Sequence, residues 1–355
     1  MAIFLVLCAA LPLRAEIRAT DLAGREVVLP APAQRIVLGE ARHLAVLGIL
    51  MPDPAARVVG WREDKGLDPA TLAAYRAKFP EVAQIAAVGA GNRQISVEQV
   101  ITLAPDLVLL SLMDAKDPQM AMPLQQLEAA GIPVAFVDFF TRPLEHTLPS
   151  LRLMARLTGT EPRAEEFAAF YSAHMAPIAA RLAAAQAAAP RVFVHVHSAP
   201  VNCCATVGPG VFDDFVAAAG GHNIGRETVP GVMGNVGLEN LLAADPDVYL
   251  ATGGAHMAAR GGFVVGVGAA PETAQASFRA LVSAPGLADL RAVRDGQAYG
   301  IWHLFNDFPA HVALVEYLAR AFHPDLFADL EPDATMAEFE RRFSPVPLSG
   351  TWWVK

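Results

Sequence analysis

The sequence predicts an α/β protein of two similar α/β lobes with parallel-rich central sheets, joined by one long α-helix. The first observation is a repeat: Ser96-Val-Glu98 and Gly237-Leu-Glu239 each begin an apolar helical run that ends in Pro-Asp and is followed by a short aliphatic strand. The second is that short aliphatic runs alternate with helical stretches in both halves of the 355-residue chain. Because parallel strands need a crossover helix between them, each half is expected to form its own α/β sheet.

The first lobe begins with a predicted hairpin and continues with a parallel sheet. Two short β-like runs flank Asp21-Leu-Ala-Gly24, in which Asp at the first position and Gly at the fourth are typical of a type I turn. Four aliphatic runs bounded by Gly, Pro or polar residues then predict strands. They cover residues 35–38, 58–60, 107–110 and 134–137.

A stretch without strand signal, residues 160–189, predicts the long connecting helix. Thr160 is suited to the N-cap, and Glu165 and Glu166 favour the positive end of the helix dipole. Apolar residues recur at steps of three and four, which gives one apolar face. Pro177 lies in the middle of the stretch, so we expect a kink or a break there.

The second lobe repeats the rhythm of the first. We predict two strands, at 191–196 and 297–301, a helix at 212–219 and the repeated unit at 237–251. The glycine-rich residues 253–268 predict a mobile loop. A helix at 335–343 precedes a Pro-rich end that the sequence does not place. The predicted division is a signal peptide (1–15), an N-terminal lobe (16–158), a bridging helix (159–189), a C-terminal lobe (190–331) and a C-terminal tail (332–355).

Composition and the N-terminus bear on the compartment and on the partners. A net charge of −9, without a Lys/Arg run, excludes nucleic acid as a general partner. The apolar run Met1–Ala15 resembles a short secretory signal and is too short to span a bilayer. We therefore expect export through the inner membrane to the periplasm.

Cleavage of this segment would leave two cysteines, the neighbours Cys203 and Cys204. They either form a disulfide with each other, which would be strained because adjacent Cα atoms lie about 3.8 Å apart, or remain two small buried thiols. Adjacent cysteines do not have the usual ligand spacing of a structural zinc site. The sequence therefore predicts no metal ligand directly.

No enzyme motif is convincing. A phosphate-binding loop with Lys-Ser/Thr, a Gly-x-Ser-x-Gly turn and a His-Glu-x-x-His helix are all absent from the sequence. His195 and His197 are predicted on one strand with both side chains on one face, where core histidines are the usual interpretation, and His197 lies nearer a crevice. The main rival hypothesis is an α/β enzyme in which His197 works with Asp213 and Asp214 in acid-base chemistry.

Ligands of open α/β sheets bind beyond the carboxyl ends of the strands, so residues that follow each strand are the candidate ligand-binding residues. Aromatic and arginine side chains among them favour a bulky, partly flat, anionic ligand, and the large rings of Trp61 and Trp302 favour a pocket. In the first lobe the candidates are Glu40, Arg42, His43, Trp61, Arg62, Asn92, Arg93, Met113, Phe139 and Phe140. In the second lobe they are His197, Ser198, Asn202, Cys203, Cys204, Met233, His256, Trp302, His303, Phe305 and Asn306.

These landmarks resemble a known family. The opening Asp21-Leu-Ala-Gly24-Arg25, the segment Ser96-Val-Glu98 with Pro105-Asp106, Gly220-Gly221-His-Asn223 and Ala292-Val-Arg-Asp-Gly296 occur in the order found in class III periplasmic substrate-binding proteins of ABC importers. That class binds iron-siderophores, haem and cobalamin between two lobes joined by one long helix. The resemblance extends over residues 17–329.

The resemblance implies a binding protein without enzymatic activity or intrinsic cofactor, and it implies a monomer. It implies that Glu98 and Glu239 dock on arginines of the inner-membrane ABC permease. For the ligand we rank a ferric siderophore, which carries Fe(III), before haem and then a corrinoid. Haem would need an axial residue, for which His303 or His256 is suited better than Tyr75.

Overall fold

Two helix-covered sheets lie on either side of one long helix, as the sequence predicts. The computed structural model describes residues 16–89, 94–201 and 203–355. The predicted signal segment Met1–Ala15 lies outside the described residues, so it stays a prediction.

The first lobe contains a hairpin and a five-stranded sheet whose neighbouring strands all run parallel. The hairpin is β1 (Ile17–Thr20) and β2 (Glu26–Leu29). The sheet strands are β3 (Ile36–Leu38), β4 (Val58–Trp61), β5 (Ala86–Ala87), β6 (Leu107–Ser111) and β7 (Val134–Val137), in the spatial order β5-β4-β3-β6-β7. The helices are α1 (His43–Leu50), α2 (Pro69–Lys78), α3 (Val97–Leu103), α4 (Leu112–Ala115), α5 (Ala121–Ala129) and α6 (Pro143–Thr158). Every residue of β6 is buried, as expected where helices cover both faces of a parallel sheet.

The connecting helix α7 (Glu161–Ala185) is continuous over 25 residues, a length of about 37 Å. The break expected at Pro177 is absent, because the helix runs through this residue. Packing against α6 supports α7 on the first-lobe side, and the imidazole of His174 hydrogen-bonds Glu316 at 2.7 Å on the other side. These tertiary contacts outweigh the backbone hydrogen bond that proline removes.

The second lobe has a mixed sheet in the spatial order β11-β9-β8-β12-β14-β16, with β10 beside β8. Its strands are β8 (Arg191–His195), β9 (Ala205–Val207), β10 (His222–Asn223), β11 (Met233–Asn235), β12 (Val248–Gly253), β14 (Ala298–Trp302) and β16 (Trp353–Val354), while β13 (Gly266–Val267) and β15 (Gly350–Thr351) form a separate pair. The helices are α8 (Phe212–Ala218), α9 (Leu238–Ala244), α10 (Pro271–Val282), α11 (Arg291–Arg294), α12 (His311–Phe322) and α13 (Pro332–Phe343). The three central strands β8, β12 and β14 run parallel.

The second half of the glycine-rich segment, residues 262–267, is packed into the second lobe, whereas residues 255–261 are mostly exposed, so the predicted mobility stays a prediction for that part. The side chains of Phe263 and Val265 are buried, and the amide of Phe263 donates to the carbonyl of Ser198 at 2.9 Å. The glycines allow this close packing, because a Cβ at Gly266, whose φ is +109°, would lie 2.1 Å from the ring of Trp302. The composition predicted flexibility, but the apolar residues between the glycines anchor residues 262–267.

The repeated unit appears as α3 followed by β6 and as α9 followed by β12, with the same local clamp in both copies. In the first copy, Asp106 accepts hydrogen bonds from the amides of Gln34 and Arg35, and the Arg35 side chain donates to the carbonyl of Leu103 at 2.6 Å. In the second copy, Asp247 accepts from the amide of Arg191 at 2.9 Å, and the Arg191 side chain donates to a carbonyl at the end of α9 at 2.7 Å. Each Pro-Asp therefore joins the end of its helix to the start of the neighbouring strand.

The C-terminal residues that the sequence could not place complete the second sheet and reach the first lobe. The strand β16 pairs antiparallel with β14, and Trp353 stacks on Tyr317 with ring centroids 4.9 Å apart. Helix α13 packs Phe339 and Phe343 against Phe167 of α7. A carbonyl just after this helix, that of Pro345, accepts a hydrogen bond from Lys78 of α2.

We predict that Phe343→Ala lowers the free energy of unfolding by about 3–5 kcal/mol, because the lost ring leaves a cavity in a dense aromatic cluster. Phe343 is 1% exposed and contacts Phe167 and Phe170 at ring-centroid distances of 5.2 and 5.3 Å. Urea unfolding followed by circular dichroism measures the change. The neighbouring exposed Arg341→Ala is the control, expected to stay within about 0.5 kcal/mol of the parent. Equal effects of the two substitutions would contradict the role of the aromatic cluster.

Candidate functional site

A cleft of about 340 Å³ lies between the lobes, beyond the carboxyl ends of the strands. The first lobe contributes Arg42 and the segment 66–69, and the second lobe contributes the remaining wall. The second-lobe residues are His197, Ala255, His256, Val267, Trp302, His303, Leu304 and Asn306. An apolar extension of about 40 Å³ continues from the same cleft toward α13. The position agrees with the rule that placed the candidate residues at strand ends.

A larger surface groove, of about 950 Å³, lies at the opposite edge of the second sheet. The groove faces the amino ends of β8, β12 and β14, because the residues just before these strands line it: Pro190, Asp247 and Gln297. Ligands of open α/β sheets bind at the opposite, carboxyl ends of the strands. We therefore take the interlobe cleft as the candidate site.

Three histidines, His197, His256 and His303, form a cluster on the second-lobe wall, which we call the histidine cluster. His197 Nδ1 lies 2.9 Å from His256 Nε2, and the ring centroids of His197 and His303 are 3.9 Å apart. His303 is held from both sides: its Nε2 accepts from the amide of Asn306 at 3.2 Å, and its Nδ1 contacts the Thr252 hydroxyl at 2.8 Å. Nε2 of His197 and Nδ1 of His256 have no hydrogen-bond partner within the described residues.

The surroundings of the histidine cluster favour neutral imidazoles. Burial lowers the pKa of His197 to about 4, with further lowering by His256 and Arg260. Burial lowers the pKa of His303 well below its ordinary value, and the pKa of His256 is lowered by partial burial and then by Arg260, although its ring is open to solvent on one side. In the contact between His197 and His256 one neutral ring donates and the other accepts. The ring that donates keeps a free lone pair for a metal or a hydrogen-bond donor at neutral pH, and the ring that accepts presents an N–H.

Opposite the histidine cluster, Arg42 is held in place by carboxylates from both lobes. Its Nε donates to Glu40 at 2.7 Å, and its guanidinium contacts Asp307 of the second lobe. Lys65 also binds Glu40, at 2.6 Å. The guanidinium lies 5.7 Å from the ring centroid of Phe140, within cation–π range.

The carboxylate of Glu40 is 2% exposed, yet it stays ionised. Burial by itself would raise its pKa, but Arg42, His43 and Lys65 together hold the pKa well below the ordinary value. The nearby imidazole of His43 is buried, and this burial lowers its pKa to about 4. Its ring edge packs against Phe139, with centroids 5.5 Å apart. Glu40 thus holds Arg42 in position, but Glu40 itself does not line the cleft.

Six of the predicted ligand-binding residues line the cleft: Arg42, His197, His256, Trp302, His303 and Asn306. The carbonyl oxygen of the Asn306 side chain is buried and accepts no hydrogen bond in the described part of the chain, so a ligand donor would satisfy it. The prediction that His197 lies on β8 is wrong, because the strand ends at His195. His197 lies in the following turn with φ +48°, and this turn directs it away from the buried His195.

Most of the other candidates do not line the cleft, for identifiable reasons. Trp61 is the last residue of β4 and packs in the core, and Arg62 is buried beside Asp64 and Asp114. Five candidates are buried behind the cleft wall: Glu40, His43, Phe139, Ser198 and Phe305. Phe140 is half-buried under Arg42, and two candidates are exposed away from the cleft, Met113 and Met233. The two cysteines, Cys203 and Cys204, lie near His195. The candidates Asn92, Arg93 and Asn202 lie outside the described residues.

Sequence reasoning missed the first-lobe segment 66–69. Asp68 caps α2 by accepting hydrogen bonds from the amides of Ala70 and Thr71 at 3.1 and 3.0 Å, and Pro69 follows at the first helical position. Asp-Pro shortly after a predicted strand is a recognisable helix start and could have marked this segment. The rule of strand ends selects only the residues directly after the predicted strand at 58–60, which are Trp61 and Arg62.

We predict that Glu40→Gln costs about 3–5 kcal/mol of stability at pH 7, because it leaves Arg42 and Lys65 without their buried partner. The folded-state pKa of Glu40 is lowered, so its contribution is present above the ordinary pKa of 4.5 and is lost as the pH falls below that value. The difference between the variant and the parent should therefore shrink in acid. Urea unfolding at a series of pH values measures it. Exposed Glu63→Gln is the control, and a pH-independent difference would contradict the interpretation.

Known proteins share this fold. A family model described as periplasmic binding protein matches residues 62–302. The crystal structure of a TroA-like periplasmic binding protein, FepB from Veillonella parvula, matches with a TM-score of 0.87 and 26% identity, covering 95% of this chain and 99% of that chain. No curated protein sequence gives a significant match.

Two more distant structures share the fold. One is CeuE from Helicobacter pylori in a Ni-His complex (TM-score 0.64, 17% identity, 93% of this chain and 96% of that chain). The other is a periplasmic heme binding protein from Pseudomonas aeruginosa (TM-score 0.56, 23% identity, 82% and 94%). In the described part of the chain, none of the helices combines the length and apolar character that a bilayer crossing requires. Because the family model covers parts of both lobes and the whole of α7 between them, the chain belongs to the periplasmic binding protein family, the substrate-binding proteins of ABC transporters.

Proposed function

We propose that this protein captures a ferric siderophore, or a similar compact metal chelate, between its lobes in the periplasm and delivers it to an inner-membrane ABC permease. The observation that carries the proposal is the pairing, across one cleft, of an anchored arginine and a cluster of neutral histidines. Arg42 suits the anionic part of a chelate, because the guanidinium N–H groups that Glu40 and Asp307 do not use can donate charge-assisted hydrogen bonds. The free lone pair on one of His197 and His256 suits a metal with an open coordination position, and the N–H on the other suits a ligand oxygen.

The size of the cleft favours a compact cargo. About 340 Å³ is near the lower end of the range for small-molecule sites, so the cleft as it stands suits a small metal chelate, whereas a full-sized siderophore, a haem or a corrinoid would each require the lobes to separate. His303, one of the expected axial residues for haem, has both ring nitrogens engaged, and Tyr75 is buried in α2. The Ni-His complex of CeuE supports a metal chelate as cargo, whereas the heme binding protein keeps haem as the alternative.

The rival hypothesis of an enzyme finds no support around the cleft. Asp213 hydrogen-bonds Asn223, and Asp214 lies 3.8 Å from Arg142, so neither carboxylate faces the histidine cluster. We infer binding without chemical turnover. We also infer that Met1–Ala15 is a secretory signal, which fits the compartment of the family.

We predict that a ferric siderophore quenches the fluorescence of Trp302, because this ring lies on the cleft wall. The Trp302→Phe variant should lose the response. His256→Ala should weaken binding by about tenfold to a hundredfold, the equivalent of one charge-assisted hydrogen bond. Titration with ferric chelates, haem, a corrinoid and nickel-histidine measures affinity for each.

The matched control is His222→Ala, since His222 pairs with Glu227 at 2.6 Å on the outer surface. Its affinity should equal that of the parent. Saturable binding of haem or of the corrinoid, with none of any small chelate, would contradict the proposed cargo. Conversion of any of these ligands would contradict the absence of turnover.

Two exposed carboxylates at equivalent places in the lobes form the proposed docking points for the permease. Glu98 is the second residue of α3, and Glu239 is the second residue of α9. Within the described residues neither side chain has an ion-pair partner, so both are free to meet a cation. Three residues further along each helix is an exposed aliphatic side chain, Ile101 (45% exposed) or Leu242 (36% exposed). Since residues three apart share a helix face, each lobe presents a carboxylate beside an apolar group.

We predict that the double variant Glu98→Arg and Glu239→Arg abolishes uptake and leaves cargo affinity unchanged, because reversed charges repel the arginines expected on the permease. Transport into proteoliposomes and fluorescence titration measure the two quantities. Glu272→Arg is the matched control, since Glu272 is the exposed second residue of α10, and it should support normal uptake. Normal uptake by the double variant would exclude these docking points.

A further inference from the structure

A second group of possible metal ligands lies behind the cleft, at the end of β8. A ring nitrogen of His195 and the sulfur atoms of Cys203 and Cys204 all lie within 4.8 Å of one another. None of the three residues lines the cleft. The antiparallel pairing of β8 with β9 explains the proximity, because His195 is paired with Thr206, two residues beyond Cys204. Cys204 directly precedes β9 (Ala205–Val207), so the pairing brings it near the imidazole.

The donor set matches the chemistry of a thiophilic divalent cation. Zinc binds cysteine sulfur at about 2.3 Å and histidine nitrogen at about 2.0–2.1 Å, usually in a tetrahedron. Donors around such an ion lie about 3.5–3.8 Å apart. Although adjacent cysteines do not have the usual spacing of zinc ligands, the fold brings all three ligand atoms within 4.8 Å of one another. Two thiolates with one neutral imidazole also balance a divalent charge, and this matters because Cys204 is 1% exposed and His195 is 2% exposed.

A neighbouring hydroxyl orients the imidazole in the way that metal sites require. His195 Nδ1 lies 2.6 Å from the hydroxyl of Tyr249, which is fully buried on β12. Histidines that bind metals commonly use one ring nitrogen for the metal and donate the proton of the other to an oxygen. With Nδ1 bound to Tyr249, Nε2 remains for the cation.

In the structure the two sulfur atoms are in direct contact with each other. Thiolates are the metal-binding form of cysteine, so a disulfide between Cys203 and Cys204 would remove two of the three donors. We propose that reduced Cys203 and Cys204, together with His195, bind one thiophilic divalent cation such as zinc. Exchange with a second disulfide removes the site, because that disulfide takes up the two electrons and two protons as two thiols while Cys203 and Cys204 become bonded to each other. Reduction by a phosphine is balanced: the phosphine takes up one oxygen atom from water, and the two hydrogen atoms of that water give the two thiols.

Cobalt(II) titration of the mature protein tests this proposal, because cobalt bound to thiolate shows sulfur-to-metal charge-transfer absorption. Phosphine-reduced protein should bind one equivalent of Co²⁺ with this absorption, and zinc should displace it. Protein with the disulfide formed should show none. The absence of charge-transfer absorption in reduced protein would overturn the proposal, and so would equal absorption in both redox forms.

Variants separate this site from the cleft. Cys203→Ser and Cys204→Ser should each lose the charge-transfer absorption, and His195→Gln should weaken Co²⁺ binding at least tenfold. His256→Ala, which alters only the histidine cluster, should leave the absorption unchanged. Absorption that survives in the cysteine variants but disappears in His256→Ala would overturn the assignment. If the His195 variant does not fold, the comparison of reduced with oxidised parent protein still tests the metal site. The result of this test does not depend on which cargo the cleft binds.

Discussion

The buried carboxylate of Glu40 is the interaction on which the cleft depends. An ionised carboxylate with 2% exposure loses several kcal/mol of hydration, and this loss is tolerable because Arg42 and Lys65 bind it at 2.7 and 2.6 Å. The same arrangement fixes the position of Arg42, whose guanidinium also contacts Asp307 in the other lobe. One carboxylate therefore determines where the positive charge of the cleft lies and connects the first lobe to the second through that charge.

Two further connections act in parallel with this ion pair. Helix α7 runs unbroken between the lobes, and the C-terminal residues place aromatic side chains on α7 while Lys78 of the first lobe binds the carbonyl of Pro345. Opening the cleft would have to bend a packed helix, break an ion pair and separate an aromatic cluster at the same time. We therefore expect only small displacements of the lobes, and a cargo that fits the existing cleft would have an advantage over one that must widen it.

The fold was predictable because its signals are local, whereas the site depends on contacts that are distant in sequence. Alternating strands and helices, the hairpin and the repeated unit followed from short patterns, and the rule of strand ends located Arg42 and the histidine cluster. The same rule also selected Trp61 and Arg62, because position after a strand does not tell whether a side chain turns into the core or meets a buried carboxylate such as Asp114. At Pro177 the local signal for a helix break was misleading, because α7 is stabilised by packing against helices that are distant in sequence.

The two lobes are alike where they face outward and different where they face each other. The carboxylate with its aliphatic neighbour and the Asp-Arg clamp behind it occur in both copies of the repeat, at Glu98 and Glu239 and at Asp106 and Asp247. The cleft walls differ, because the first lobe offers a cation and the second offers neutral nitrogen donors. A cargo that is anionic on one side and carries an accessible metal on the other would be bound in one orientation. The outer surface would then present the same pair of docking points to the permease whatever cargo the asymmetric cleft selects.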